Sequence, residues 1–417
     1  MRTLKAVIAL VALIPALAFA QGKPGIRFGP LELHPYAKIA GTYDSNIYMV
    51  SPDLSAVQQG GGVKKAVISD NTFGVNAKLA LTSMHTFEGG YEVAALFYST
   101  MPKANDTINQ KASLNYVYKG PMGLSAKVGD TYLNTMDPAF SESATRERRW
   151  QNTANLTGEY SILEGPAFVG VNAEQVTHKY LSSSMGALLN RYEQIFGLKG
   201  GYKVLPKTRV YAGYRRQIIH YSVHTDLPKD NKSHFIDLGV EGNIAPKLTG
   251  KIEASMSLRD YDNNNAGKST ATYVHNWAMT TQLVWKPLER CQTTLGVTRS
   301  LQESTFADNR YYESTAFNLG LTHKLPWKLT ATIGAGATFD RYPKLSAVTV
   351  TGPNGTSGTT VGTRKDHIYS QNLGLDYEMK SWATIFASYS HKQKFSNFSG
   401  QYNYCDHQVS AGVKLAL

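Results

Sequence analysis

Proline punctuates this chain at nearly constant intervals, and that rhythm limits its folds more than any other feature. Pro121, Pro166, Pro206, Pro246, Pro287 and Pro326 are separated by 45, 40, 40, 41 and 39 residues. Each sits in a short turn such as Gly-Pro-Met-Gly, Leu-Pro-Lys or Ala-Pro-Lys. Between consecutive prolines lie two long segments of β-type alternation joined by a polar stretch of Asn, Asp, Ser, Gly and Thr. Proline has no N–H to give to a sheet ladder, so it belongs in the turns. The repeating unit is therefore a long β-hairpin, with tight turns at one end and longer loops at the other.

The alternation has one apolar and one polar face. From Gly250 one face reads Gly250, Ile252, Ala254, Met256, Leu258, and the other Lys251, Glu253, Ser255, Ser257, Arg259. From Leu329 the apolar face is Leu329, Ala331, Ile333, Ala335, Ala337, Phe339, set against Thr330, Thr332, Gly334, Gly336, Thr338, Asp340. About ten residues of such alternation is the pattern of a strand with lipid on one side and a wet lumen on the other. A β-propeller also repeats at about forty residues, but its blades need four short strands per repeat, and the Trp-Asp and Gly-His signatures are missing. After the first twenty residues no run of eighteen apolar residues occurs, so a membrane-spanning form must be a closed barrel, which satisfies every backbone group internally.

The fold class expected is therefore all-β: a single transmembrane antiparallel barrel of about eighteen strands with short periplasmic turns and longer extracellular loops. The strands are expected near 33–49, 66–82, 87–99, 108–119, 124–135, 148–162, 167–181, 187–203, 208–223, 233–244, 248–261, 272–285, 290–303, 310–324, 328–342, 365–379, 382–395 and 403–416. An even number places both termini in the periplasm. Tyr118, Tyr160, Trp285, Trp327 and Trp382 are expected to form a girdle at the tight turns. Tyr48, Tyr98, Trp150, Tyr180, Tyr221, Tyr273, Tyr311 and Tyr369 would form the second girdle at the long loops. The longest loops expected, Ser51 to Lys65 and Pro343 to Arg364, are rich in Gly, Ser and Thr, and either one folding inward would constrict the lumen.

The N-terminus has the layout of an export signal. Arg2 and Lys5 precede an apolar run from Ala6 to Ala20, and Ala18-Phe19-Ala20 forms a small-residue cleavage site before Gln21. No cysteine follows that site, so a lipid anchor is not expected. The expected division is a signal peptide over 1–20, a short periplasmic segment over 21–32 and the barrel over 33–417. Removing Arg2 and Lys5 leaves 41 basic against 31 acidic residues, a net charge of +10 spread along the chain without a basic block. Such a spread suits anionic lipid or polysaccharide better than nucleic acid, which is not expected as a partner. Cys291 opens a strand at the periplasmic end and Cys405 one at the outer end. They should be two free thiols a membrane thickness apart.

The polar face carries both charge signs. The expected lumen-lining residues are Lys78, Lys111, Lys127, Lys199, Arg209, Arg215, Lys251 and Arg259, with Glu92, Glu159, Glu193, Asp237, Glu241 and Glu253. Rows of this kind tune which solutes pass, and a net basic lumen favours anions. Neighbours of opposite sign can equally satisfy one another across strands. His220, His224, Asp226 and His234 gather near one outer loop, but their spacing follows no metal-ligand pattern. His178, His275, His367, His391 and His407 also fall near strand ends, so histidine is common at this rim. His275 with nearby Ser269 is the one pair that a lipid hydrolase would require, and nothing in the spacing gives it geometry. No catalytic residue, metal or cofactor is assigned.

The tail Ser410-Ala411-Gly412-Val413-Lys414-Leu415-Ala416-Leu417 resembles the C-terminal signal by which the barrel-assembly machinery recognises its clients, with Leu415 and Leu417 where aromatics are usual. With this tail, Leu33-His34-Pro35-Tyr36, Thr42-Tyr43-Asp44-Ser45-Asn46-Ile47-Tyr48 and the hairpin from Ala245-Pro246-Lys247 to Arg259-Asp260-Tyr261 resemble the putative β-barrel porin 2 family. The resemblance is in style, spans the mature chain and includes no catalytic signature. It implies an outer-membrane channel in contact with lipid and lipopolysaccharide, and for some members an association with exopolysaccharide export. The alternative expected from the residues is a loop-plugged structural or adhesive surface barrel, dependent on Pro343 to Arg364; an outer-membrane enzyme stands third.

Overall fold

The computed structural model describes residues 25–52, 62–138, 146–223, 228–262, 273–306, 309–351 and 357–417. The proposed signal peptide lies outside the described residues. Eighteen strands form one closed antiparallel barrel, and a short nineteenth precedes them. In chain order these are β1 Ile26–Phe28, β2 Leu31–Asp44, β3 Ala66–Ala80, β4 His85–Tyr98, β5 Thr107–Lys119 and β6 Leu124–Thr135. Next come β7 Arg149–Ser161, β8 Ala167–Tyr180, β9 Arg191–Leu205, β10 Thr208–Tyr221, β11 Asn231–Ala245 and β12 Leu248–Tyr261. The last are β13 Tyr273–Leu288, β14 Cys291–Glu303, β15 Tyr311–Lys324, β16 Leu329–Thr351, β17 Ser357–Lys380, β18 Ala383–Ser396 and β19 Tyr404–Ala416. Short helices α1 Pro102–Asn105, α2 Ser183–Leu189 and α3 Ser399–Tyr402 sit in the outer loops. No helix among the described residues is long and apolar enough to cross a membrane.

Every barrel strand matches one expected from the alternation. The N-terminal strand β1, where only a periplasmic segment was expected, folds back on the start of β2, and Arg27 meets Glu32 at 2.9 Å. β19 closes the barrel on β2, from Gln408 opposite Asp44 to Ala416 opposite Tyr36. The last residue is held as well: the Leu417 amide donates to the Pro35 carbonyl at 3.1 Å, and its side chain packs on Ala37 and Phe73. Closure leaves the barrel wall no free edge.

The two faces separate as the alternation predicts. On β11 and β12 the apolar Ile236, Leu238 and Met256 are about two-thirds exposed, whereas Asp237 and Ser255 between them are almost wholly buried. Arg209 of β10 reaches Glu159 of β7 across the second face, past two intervening strands, so that face is the interior. Burial corrects the aromatic girdle. Trp285, Trp327, Tyr273 and Tyr369 are exposed as expected, but Tyr98, Tyr180 and Tyr221 are buried. They stand at strand ends but on the inward parity, and in a strand parity rather than height decides which side a ring takes.

A second correction concerns Pro343 to Arg364. Instead of an irregular loop, β16 and β17 run on as one hairpin, paired again from Leu345 opposite Thr363 to Thr351 opposite Ser357 beyond a break at Tyr342-Pro343-Lys344. At 23 and 24 residues these strands far exceed the 12 to 16 of the other barrel strands, so the hairpin projects past the rim. The Thr and Val that fill it are strand formers, and the Gly and Ser between them masked that signal.

The tight turns carry a local cost. In Pro326–Leu329 the Leu329 amide bonds back to Pro326, and both central residues take positive φ, Trp327 at 58° and Lys328 at 60°. This is the twist that matches two antiparallel strands, usually supplied by Asn-Gly. Lys328→Gly should raise the free energy of unfolding by about 0.5–1 kcal/mol, the relief of a left-handed non-glycine residue less the added freedom of the unfolded chain. Urea unfolding in phospholipid vesicles, followed by tryptophan fluorescence, measures it; an unchanged or lower midpoint would contradict the strain.

Candidate functional site

The inward face of β7 to β12 holds a network of charges. Arg209 Nη1 donates to Glu159 Oε1 at 2.5 Å and its Nε contacts Glu241. Lys199 Nζ lies 3.7 Å from both of those carboxylates. Higher up, Arg215 grips Asp237 with two nitrogens at 2.5 and 2.9 Å, and Ser255 Oγ donates to the same carboxylate at 2.6 Å. Lys251 meets Glu253 at 2.8 Å, and the Tyr211 hydroxyl donates to Glu253 at 2.6 Å. Four cations face four carboxylates, so this network is electrically balanced. Its cations also lie over rings: Arg209 over Phe168 at 4.6 Å, Lys199 over Tyr211 at 5.1 Å and Arg215 over Phe235 at 4.8 Å.

Backbone geometry makes room for this. Tyr211 stands directly opposite Gly239, and Gly239 directly opposite Glu253. A Cβ on Gly239 would come within 2.2 Å of the Tyr211 ring, so the glycine lets the ring lie flat across β11 and reach Glu253. The arrangement recurs on the other wall, where Tyr36 crosses Gly74 and its hydroxyl donates to Glu92 at 2.6 Å. A large ring over a glycine on the next strand shields the backbone and pins the register.

Two cavities follow the wall. One of about 660 Å³ is lined by Lys127, Glu159, Lys199, Arg209, Arg215, Asp237, Lys251 and Glu253 among others. The second, about 270 Å³, is bounded by Arg191, Glu193, Arg215, Arg259 and Glu303. Arg215 borders both. Around the second cavity Arg259 donates to Glu303 at 2.8 Å, and the Tyr221 hydroxyl bonds the other oxygen of Glu303 at 2.8 Å. Glu193 is held by Arg191 at 2.8 Å and lies 3.4 Å from His178.

Of the residues expected to line the lumen, Glu159, Lys199, Arg209, Arg215, Asp237, Glu241, Lys251 and Glu253 meet in the first network. Glu193 and Arg259 take part in the second, and Lys127 lines the larger cavity. Glu92 faces Lys111 across β4 and β5, and Lys78 stands between Glu32 and Glu88 near the periplasmic turns. Sequence reasoning missed Glu303. On β14 it shares parity with the outward Leu295, but pairing between β13 and β14 ends at Met279 and Arg299, so the strand end above turns inward.

A third assembly, also missed, sits at the outer end of β15 to β18. Arg364, expected in a loop, is 1% exposed and clasps Asp366 at 2.7 and 3.0 Å. Lys394 meets the same carboxylate at 2.9 Å. The Arg364 guanidinium lies 3.6 Å from the ring of Tyr402 and 4.7 Å from those of Phe306 and Tyr342. Phe306 and Tyr402 belong to loops, and they pack on inward-parity strand residues, so both loops bend over the lumen side of the rim.

Among the described residues considered for that metal site, His220 and His234 take separate partners. His220 Nδ1 meets Asp230 at 2.6 Å, and His234 Nδ1 pairs with the Tyr214 hydroxyl at 2.6 Å. His224 and Asp226 lie outside the described residues, as does Ser269, the proposed partner of His275. Cys291 and Cys405 are free thiols, as expected.

A closed barrel with exposed apolar rings outside and a polar, charge-paired interior defines a porin-type membrane protein. The Putative beta-barrel porin 2 family matches residues 189–417, more than half of the chain, and the chain belongs to that family. It is an outer-membrane protein. No curated protein matches it in sequence. Among solved structures, OccAB3 of Acinetobacter baumannii is 10% identical with a TM-score of 0.47, over 92% of this chain and 99% of that one. The outer membrane protein opdK of Pseudomonas aeruginosa gives the same identity, score and coverage. The siderophore receptor PirA of A. baumannii is 9% identical with a TM-score of 0.43, over 92% of this chain and 80% of that one.

Proposed function

We propose that this barrel is a channel for a hydrophilic, hydroxyl-rich solute of the saccharide class, passed without strong selection for charge. The observation that carries the reading is the balance of this network on the β7–β12 wall, where Lys199, Arg209, Arg215 and Lys251 each have a carboxylate within 4.0 Å. Paired charges leave little net field in the lumen but present many donors and acceptors, which suits sugar hydroxyls better than an ion. This narrows the expectation of an anion-favouring lumen to a weak preference at most. A place in polysaccharide export rests on the family resemblance, and contact with export components is part of the same proposal.

Single-channel conductance of the refolded protein in a planar bilayer, with reversal potentials under a salt gradient and liposome swelling in sugars, tests this. Stable steps, near-equal cation and anion permeability and swelling in mono- and disaccharides are expected. Silence from a folded barrel would overturn the open-channel reading and favour the plugged alternative, to which the inward-bent outer loops lend support. Strong ion selectivity would overturn the saccharide assignment.

A further inference from the structure

Near the outer end of β18 and β19, three metal-type side chains meet on the face turned away from the lumen. Cys405 Sγ lies 3.4 Å from His391 Nε2 and 3.3 Å from His407 Nε2, and the three ligand atoms lie within 4.8 Å of one another. The two imidazoles are stacked at 4.6 Å. They share parity with the exposed apolar Ile385, Phe395 and Val409, which puts the cluster on the membrane side of the wall. Register produces it: His391 stands directly opposite His407, and Cys405 is two residues on, on the same face.

We propose that Cys405 Sγ with Nε2 of His391 and His407 forms a site for one zinc-type divalent cation. A tetrahedral ion with its usual bond lengths would hold a sulfur and an imidazole nitrogen about 3.6 Å apart, close to the spacing present. One thiolate and two neutral imidazoles are the ligand set of a borderline-soft cation and unlike the all-oxygen shells of magnesium or calcium. Binding releases the thiol proton to solvent, and three protein ligands leave one coordination position open. The Tyr389 hydroxyl bonds His407 Nδ1 at 2.9 Å. That contact orients the ring and leaves Nε2 for the metal, the support a ligating histidine ordinarily has.

Full-length folded protein in detergent micelles, titrated with Co²⁺, tests the site. One equivalent should produce a thiolate-to-cobalt charge-transfer absorption that Zn²⁺ abolishes. The absorption should survive Cys291→Ser and be lost in Cys405→Ser. His391→Ala and His407→Ala should weaken binding at least tenfold, and Tyr389→Phe about tenfold. Heat-dependent gel mobility verifies that each variant is folded. In the wild-type chain, Zn²⁺ should slow alkylation of Cys405 at least tenfold while leaving Cys291 unchanged. No absorption from the folded protein, an absorption that persists without Cys405, or equal alkylation rates would overturn the proposal.

Discussion

Replacing Arg364 with alanine should enlarge the channel's unit conductance and lower its stability by about 3–5 kcal/mol, the usual cost of removing one partner from a buried ion pair. Arg364 and Asp366 are both fully buried at the outer rim. Without the guanidinium, Asp366 keeps Lys394 as its one cation among the described residues, and the rings of Phe306, Tyr342 and Tyr402 lose the flat cation they surround. The loops after β14 and β18 are tied down through those rings. Their release widens the outer mouth, which bilayer recordings would register as larger, noisier steps. Lysine is not an equivalent here, because it cannot clasp Asp366 with two nitrogens and stack at once. Arg364→Lys should therefore show most of the effect. Wild-type conductance in a folded Arg364→Ala protein would show that these loops do not limit flow.

Arg209→Gln should make the channel cation-selective. Arg209 joins Glu159, three strands away on β7, to Glu241 on β11, and its removal leaves Lys199 alone against two carboxylates. The local balance moves from zero to one excess negative charge within the lumen, and the reversal potential should follow toward cations. The loss of stability should be smaller than at Arg364, about 1–3 kcal/mol, because Arg209 is partly solvated and part of the interaction is screened. Glu159→Gln should move the potential the opposite way. Two variants with the same sign of shift, or with none, would mean that this network does not face the conduction path.

Much of the architecture was legible because a strand repeats every two residues and a tight turn needs particular backbone angles. Ile236, Leu238 and Met256 alternate with Asp237 and Ser255 whatever surrounds them, and turns such as Pro326–Leu329 mark where hairpins reverse. The lumen candidates were legible for the same reason, since parity reveals the face. It does not reveal the partner. That Arg209 reaches Glu159 three strands away, or that Arg259 reaches Glu303 over β13, depends on the curvature of the closed wall. No local pattern encodes that curvature. The errors have the same origin: Tyr98, Tyr180 and Tyr221 have girdle composition at girdle height but inward parity, and Glu303 follows a strand end that leaves its neighbour.

The sequence by itself determined the eighteen barrel strands, their antiparallel order, the periplasmic turns and the separation of a lipid face from a polar face. Each follows from period-two alternation and turn chemistry acting over a few residues. Tertiary structure alone decided which inward charges neutralise one another and which outer loops bend over the lumen. It also decided that β16 and β17 continue as a projecting hairpin, and that His391, Cys405 and His407 share one spot. Those outcomes depend on register and closure, which bring together side chains far apart in the chain at distances set by the whole barrel.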